Sequence, residues 1–307
     1  MKIAILGATS HIAKGLICNF SKEDDELFLF GRNPGDITSF LDQRKIKTIK
    51  HIYTYKKFEN FKYDVIVNCV GIGRPEKIKE AGYQVIQITE QFDTLVLEYL
   101  EKNRGTIYIH FSSGAVFGSQ FTKPVTANTK SIIDLNSYSP KEAYSASKII
   151  SELRHRSLPE YNIIDLRVYA YFSQHIDLDS SFLMSSLAKS IIEKKTFETS
   201  PSDIVRDFVH PDDLYSMIHL SFKNGGNMAF DMYSKKPTSK FEILKYFKEK
   251  FGLKYVVNKE TVPSSTGAKN IYYSKNHSAA TWGYQPKYTA LESLSDQFDK
   301  IIRRENG

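Results

Sequence analysis

Short apolar runs rich in β-branched residues alternate with longer segments of helical periodicity through the first half of this chain, and no other feature restricts its fold as strongly. Lys2–Leu6, Glu26–Phe30, Thr48–Tyr53, Val65–Val70, Thr106–Phe111 and Ile163–Arg167 have the length and composition of strands. Between them, His11–Phe20 carries Ile12, Leu16 and Ile17 on one helical face, and Val85–Leu100 spaces Val85, Ile88, Phe92, Leu95, Val96 and Tyr99 in the same way. Tyr144–Leu158 continues the pattern until Pro159 stops it. Strands separated by helices run parallel, because each helix carries the chain back across the sheet, and right-handed crossovers put helices on both faces. The predicted fold is α/β, a doubly wound parallel sheet with ligand sites beyond the carboxyl ends of its strands.

After Arg167 the alternation breaks. Ser180–Lys194 and Asp212–Lys223 read as helices, Thr196–Thr199 as a short extended piece, and Asn227–Asp231 as one more strand for the main sheet. Thr238–Phe251 is a helix opened by Thr238 or Ser239 and closed before Gly252. The expected organisation is a Rossmann-type domain over residues 1–170, to which 205–234 returns, and a smaller mixed C-terminal substrate lobe built from 171–204 and 235–307. No internal repeat, low-complexity tract or Pro/Gly-rich linker separates the two.

With 41% hydrophobic and 25% charged residues and no apolar run near the ~20 residues of a membrane span, the chain reads as soluble, with no membrane insertion. Gly7 ends the first apolar run too early for a signal peptide. Cys18 and Cys69 lack metal-ligand or CxxC spacing and read as small core residues of a reducing compartment, so a cytoplasmic address is expected. The net charge of +7 comes from lysines scattered among acids, as in Phe247-Lys248-Glu249-Lys250, which describes a solvated surface rather than a nucleic-acid face. The dispersed histidines support no metal site.

Gly7-Ala8-Thr9-Ser10-His11-Ile12-Ala13 lies between the first strand and the first helix, where backbone amides and the helix dipole can hold a pyrophosphate. Only Gly7 of the customary three glycines is present; Ser10 and Ala13 replace the others, and an ordinary strand-to-helix turn is the alternative reading. At the end of the second strand, Gly31-Arg32-Asn33 offers no acid for a ribose 2′-hydroxyl. Arg32 instead presents a planar donor fork suited to a 2′-phosphate, with Thr9 and Ser10 as added hydroxyls. NADP(H) is accordingly expected over NAD(H). The fourth strand ends in Val70-Gly71, where a cofactor ribose would pass.

Two stretches carry chemistry: Phe111-Ser112-Ser113-Gly114-Ala115-Val116-Phe117-Gly118 and Tyr144-Ser145-Ala146-Ser147-Lys148. Tyr144 and Lys148 stand four apart on one helix, so an ammonium can stabilise a phenolate, and Ser113 at a strand end can bond the same substrate oxygen. With Arg206-Asp207-Phe208-Val209-His210-Pro211-Asp212-Asp213-Leu214, these segments resemble the extended short-chain dehydrogenases/reductases of the sugar-nucleotide epimerase/dehydratase superfamily, a likeness covering nearly the whole chain. Trp282-Gly283-Tyr284-Gln285-Pro286 resembles a packing segment of the same family.

The resemblance implies Tyr144 as proton donor or acceptor, Lys148 as ribose ligand and modulator of Tyr144, Ser113 as the second hydroxyl, and Arg206 on the diphosphate of a nucleotide-linked sugar. It also implies a homodimer through two helices of each subunit. Arg167-Val168-Tyr169-Ala170-Tyr171-Phe172 departs from the family's Arg-x-x-Asn-x-Tyr-Gly, and Gly114-Ala115 lack the acidic pair of sugar dehydratases. The expected activity is NADPH-dependent reduction of a keto-sugar, with NAD(P)-dependent sugar-nucleotide epimerisation as the nearest alternative. A non-catalytic nucleotide-binding scaffold is the alternative of another class.

Overall fold

The computed structural model describes residues 1–118, 121–134, 136, 139–259 and 270–305. Its main sheet has seven parallel strands. Six of them are β1 (Lys2–Leu6), β2 (Glu26–Phe30), β3 (His51–Tyr53), β4 (Val65–Asn68), β5 (Ile107–Ser113) and β6 (Asn162–Val168), and the seventh is Asn227–Asp231. The order across the sheet is the seventh strand, then β6, β5, β4, β1, β2 and β3. The strand order reverses between β1 and β4, which pair with Leu6 opposite Asn68. A crevice forms at such a reversal because the two chains leave their strands in opposite directions.

The helices include α1 (His11–Phe20), α2 (Pro34–Gln43), α3 (Pro75–Ala81), α4 (Gln84–Lys102) and α5 (Pro140–Arg156). Asn33 caps α2 by accepting from the Gly35 amide at 3.1 Å, with Pro34 at the first helical position. Ser139 caps α5 with Pro140 behind it, so that helix begins four residues before the expected start at Tyr144. The signal was legible: a serine N-cap followed by proline.

Two apolar layers sandwich the sheet. Ile3, Ile5, Val65, Val67, Ile109 and Ile164 meet α1 and the helix Pro211–Asn224, while Ala4, Phe28, Ile66, Tyr108 and Ile163 meet α4. A separate apolar cluster joins Phe172, Leu187, Phe197, Phe208, Phe247, Leu294 and Phe298. It lies within 171–204 and 235–307 except for Phe208. No helix among the described residues is long and apolar enough to cross a membrane.

Candidate active site

Gly7 closes β1 at φ 73°, and a Cβ there would stand 2.9 Å from the carbonyl carbon and oxygen of Cys69. Cys69 is held in place, since its amide donates to the Leu6 carbonyl at 2.9 Å. The chain thus retains the one glycine that the approach of β1 to β4 demands. Ser10 donates its amide to the Gly7 carbonyl at 2.8 Å and caps α1, accepting from the Ala13 amide at 3.4 Å. The first-turn amides of His11 and Ile12 have no carbonyl of a preceding helical turn to bond, and the helix dipole adds positive potential. These donors fit a dinucleotide's pyrophosphate.

Thr9 is exposed at the turn, whereas His11 is committed elsewhere: its Nε2 is 2.8 Å from the Ser173 hydroxyl and its ring lies 4.9 Å from that of Tyr171. Burial lowers the His11 pKa to about 4, so its imidazole is neutral at physiological pH. Ala13 is buried in the core beside the sheet, and two residues on, at Gly15, a Cβ would come within 2.7 Å of the Tyr171 hydroxyl. Arg32 is exposed at the end of β2. Beside it stands Tyr55, which sequence reasoning passed over. Burial raises the Tyr55 pKa, while a bond to the Gly7 backbone and the charge of Arg32 oppose the change. Across the crevice, the Val70 amide donates to Asn68 Oδ1 at 3.0 Å, and Gly71 is exposed, its Cβ position 3.9 Å from Lys148 Nζ.

Alternation along β5 separates the two serines. Ser112 donates to Glu152 at 2.6 Å, whereas Ser113 accepts from the Ala115 amide at 3.3 Å. Burial raises the Tyr144 pKa and the Ser113 hydroxyl opposes it. Lys148, on the same face of α5, donates to the Phe111 carbonyl at 2.9 Å. Burial lowers its pKa to about 8, with Asp165, Asp93 and Glu152 pulling the other way.

A third hydroxyl joins the pair. Tyr272, 159 residues beyond Ser113, places its phenol oxygen 2.9 Å from Ser113 Oγ. Its ring lies 5.7 Å from the guanidinium of buried Arg206, which donates to the Val205 carbonyl at 2.8 Å. Burial lowers the Arg206 pKa to about 10, still an arginine cation at neutral pH. Tyr169 packs on Gly114 so tightly that a Cβ there would fall 2.2 Å from its ring, which explains the glycine in the Ser-Ser-Gly-Ala run. No motif announces Tyr272, because distant segments of the fold bring it to Ser113.

Beneath the site, His110, His155 and Asp165 bring their ligand-type atoms within 4.8 Å of one another, a grouping that dispersed sequence positions had hidden. The nitrogen–oxygen contacts of 2.7–3.1 Å are those of a hydrogen-bonded ion cluster, in which Arg156 also donates to Asp165 at 2.7 Å.

Residues 3–231 match the family model described as the NAD dependent epimerase/dehydratase family. Comparison with curated protein sequences gives no match. Among solved structures, UDP-glucuronic acid 4-epimerase from Bacillus cereus, in complex with UDP-glucuronic acid and NAD, superposes with a TM-score of 0.79 at 18% identity, covering 99% of this chain and 100% of that one. UDP-glucose-4-epimerase from Stenotrophomonas maltophila, with bound NAD and formylated UDP-arabinopyranose, gives 0.83 at 13% identity over 100% and 99%. The dTDP-glucose 4,6-dehydratase from Bacillus anthracis, in complex with NAD, gives 0.78 at 15% identity over 100% and 98%.

Proposed function

This chain belongs to the NAD-dependent epimerase/dehydratase family, and from that membership we propose that it exchanges a hydride with the oxygen-bearing carbon of a nucleotide-linked sugar, working as an NADPH-dependent keto-sugar reductase. The observation that carries this reading is the placing of Ser113 at the end of β5 and of Tyr144 and Lys148 one turn apart on α5, with Lys148 Nζ 3.9 Å from the Cβ position of Gly71 across the crevice.

The nicotinamide, when bound, supplies the hydride. Gly7, Thr9, Ser10 and the amides of His11 and Ile12 would hold the cofactor's diphosphate end, Arg32 a 2′-phosphate, and Val70, Gly71 and Lys148 its ribose. A sugar carbonyl oxygen placed between Ser113 and Tyr144 takes a hydrogen bond from each, so both stabilise negative charge as it develops there. Tyr144 then passes its phenolic proton to that oxygen, and the Lys148 ammonium stabilises the phenolate left behind. Arg206, lying against Tyr272, supplies positive charge toward a substrate diphosphate.

Dehydration is disfavoured because the Tyr169 ring leaves no room for an acidic side chain at position 114. Epimerisation is the second reading, and it is favoured by the UDP-sugar 4-epimerases with NAD among the similar structures. Exposed Ile150 and Leu153 on α5 and Tyr83 at the start of α4 support a homodimer contact through these helices, and the free thiols of Cys18 and Cys69 support a cytoplasmic address.

Titration with NADPH and NADH, followed by nicotinamide fluorescence, tests the reading with Arg32→Ala alongside. Tighter NADPH binding that falls about tenfold in the variant, as loss of one charge-assisted phosphate contact requires, supports the reductase. Preference for NADH, or NAD retained on purification, moves epimerisation to first place. Binding of neither leaves the scaffold.

A further inference from the structure

One turn along α1 from the cofactor turn, cations gather where acids do not. Lys14 Nζ lies 5.3 Å from the ring centre of Phe40 on α2, and the guanidinium of Arg44, the C-cap of α2, lies 6.0 Å from the same centre. Arg44 also donates to the Gln174 side chain at 3.3 Å and to His175 Nδ1 at 3.2 Å. From the C-terminal helix Ala290–Glu305, Arg304 donates to the Gln174 carbonyl at 2.9 Å. Cations from three helices thus meet around Phe40, Gln174 and His175. Among the described residues, no carboxylate oxygen comes within 4.0 Å of the Lys14 or Arg44 side-chain nitrogens. Asp177, whose charge favours the Lys14 ammonium, is already held by Arg74 at 2.6 Å.

Lys14, Arg44 and His175 are all half-buried, and like charges brought together with little water to screen them repel unless an opposite charge joins them. Arg44 has no acceptor atom, so His175 Nδ1 accepts and Nε2 carries the ring proton, adding a neutral N–H donor beside the cations. Burial, and then the charge of Arg44, lower the His175 pKa to about 3, which keeps that ring neutral at physiological pH. We propose that Lys14, Arg44, Arg304 and the Nε2–H of His175 form a binding site for a phosphate group, outside the crevice. The ten residues of α2 put Arg44 about 15 Å along the helix from its cofactor end. A phosphoryl group carries about two negative charges at neutral pH and presents several acceptor oxygens, enough to meet donors that arrive from separate elements. A carboxylate carries a single charge in one plane and suits a single arginine fork better.

The probe is inorganic phosphate, titrated into the full chain at neutral pH, with chloride at equal ionic strength as the control. His175 reports on the site locally: its ring signals, identified in ¹H–¹³C NMR spectra by their loss in His175→Asn, are expected to shift saturably with phosphate and not with chloride. Lys14→Met, which keeps an apolar stem against Phe40, should weaken phosphate binding about tenfold, as loss of one charge-assisted contact requires, and Arg44→Gln at least as much. If Arg44→Gln fails to fold by circular dichroism, Arg304→Gln at the exposed helix end replaces it. Arg32→Ala, in the crevice, should leave the His175 response unchanged. Ribose 5-phosphate that binds more tightly than phosphate identifies an ester as the ligand, and equal or weaker binding identifies the free ion; both support the site. The proposal is overturned by the absence of a saturable His175 shift, by an equal response to chloride, by unchanged affinity in Lys14→Met and the arginine variant, or by a response lost in Arg32→Ala. Because the readout uses neither cofactor nor sugar, it is independent of the redox reading.

Discussion

Gly7 and Gly71 face the same crevice, yet alanine at each should fail in a different way. At Gly7 the φ of 73° is a left-handed conformation, and the added Cβ would meet Cys69 backbone at 2.9 Å. A non-glycine residue held there costs about 1–3 kcal/mol, and overpacking against backbone that cannot retreat adds about 1–3 kcal/mol. Gly7→Ala is therefore expected to lose on the order of 2–6 kcal/mol, a large part of the ~5–15 kcal/mol that typically holds a domain folded. Gly71 makes no such contact; its Cβ position lies at an ordinary 3.9 Å from Lys148 Nζ. Gly71→Ala should keep wild-type stability within about 0.5 kcal/mol, as exposed substitutions do, while placing a methyl where the cofactor ribose would pass. Urea denaturation measures the first effect and nicotinamide fluorescence titration the second. Wild-type stability in Gly7→Ala, or undiminished cofactor affinity in Gly71→Ala, would refute the crevice geometry or its use.

Three further substitutions probe the ground under the site. Gly114→Ala should destabilise by about 1–3 kcal/mol through the 2.2 Å approach to Tyr169, and Tyr169→Leu in the same chain should recover most of it, as denaturation of the single and double variants would show. His155 has a folded pKa of about 9 against an ordinary 6.5, so its contribution is full below pH 6.5 and disappears as the pH rises through 9. The stability difference between wild type and His155→Gln should accordingly shrink across that window by a few kcal/mol, on the order of 1.4 kcal/mol for each pH unit crossed. A difference that stays constant from pH 6 to about 9.5 would show that His155 is not charged in the fold.

The parallel sheet was readable because runs such as Lys2–Leu6 and Glu26–Phe30 are short and continuously apolar after their first residue, and they form strands with those bounds. Asn227–Asp231 likewise joins the sheet edge as expected. Where terminal hydrogen bonds decide, the periodicity misled by a few residues: Thr48–Tyr53 contracts to His51–Tyr53, and the strand expected at Thr106–Phe111 extends to Ser113 because β6 pairs with it that far. The helix Pro34–Gln43 is obscured because Phe30-Gly31-Arg32-Asn33-Pro34 reads as a cofactor turn, although Asn33-Pro34 is also a helix start.

Ser113, Tyr144 and Lys148 were legible from local spacing, since one strand end and one helix turn carry them. Tyr272 and the His110–Asp165–His155–Asp93 cluster were not. Their partners lie on separate elements, and only the packed sheet brings them together. Cys69, read as a plain core residue, is half-buried on the crevice wall, where burial lifts its thiol pKa and a bond to Ser10 opposes the rise.

The hydride chemistry itself is tested most directly by following deuterium from C4-deuterated NADPH and NADH into a panel of nucleotide-linked keto-sugars, with wild type and Tyr144→Phe compared by NMR. Label is expected at the former carbonyl carbon with wild type, and about 10²–10⁴-fold more slowly once the proton donor is removed. Label transferred equally by both proteins, or by neither when both bind cofactor and sugar, would contradict the assignment of Tyr144 and the reductase with it.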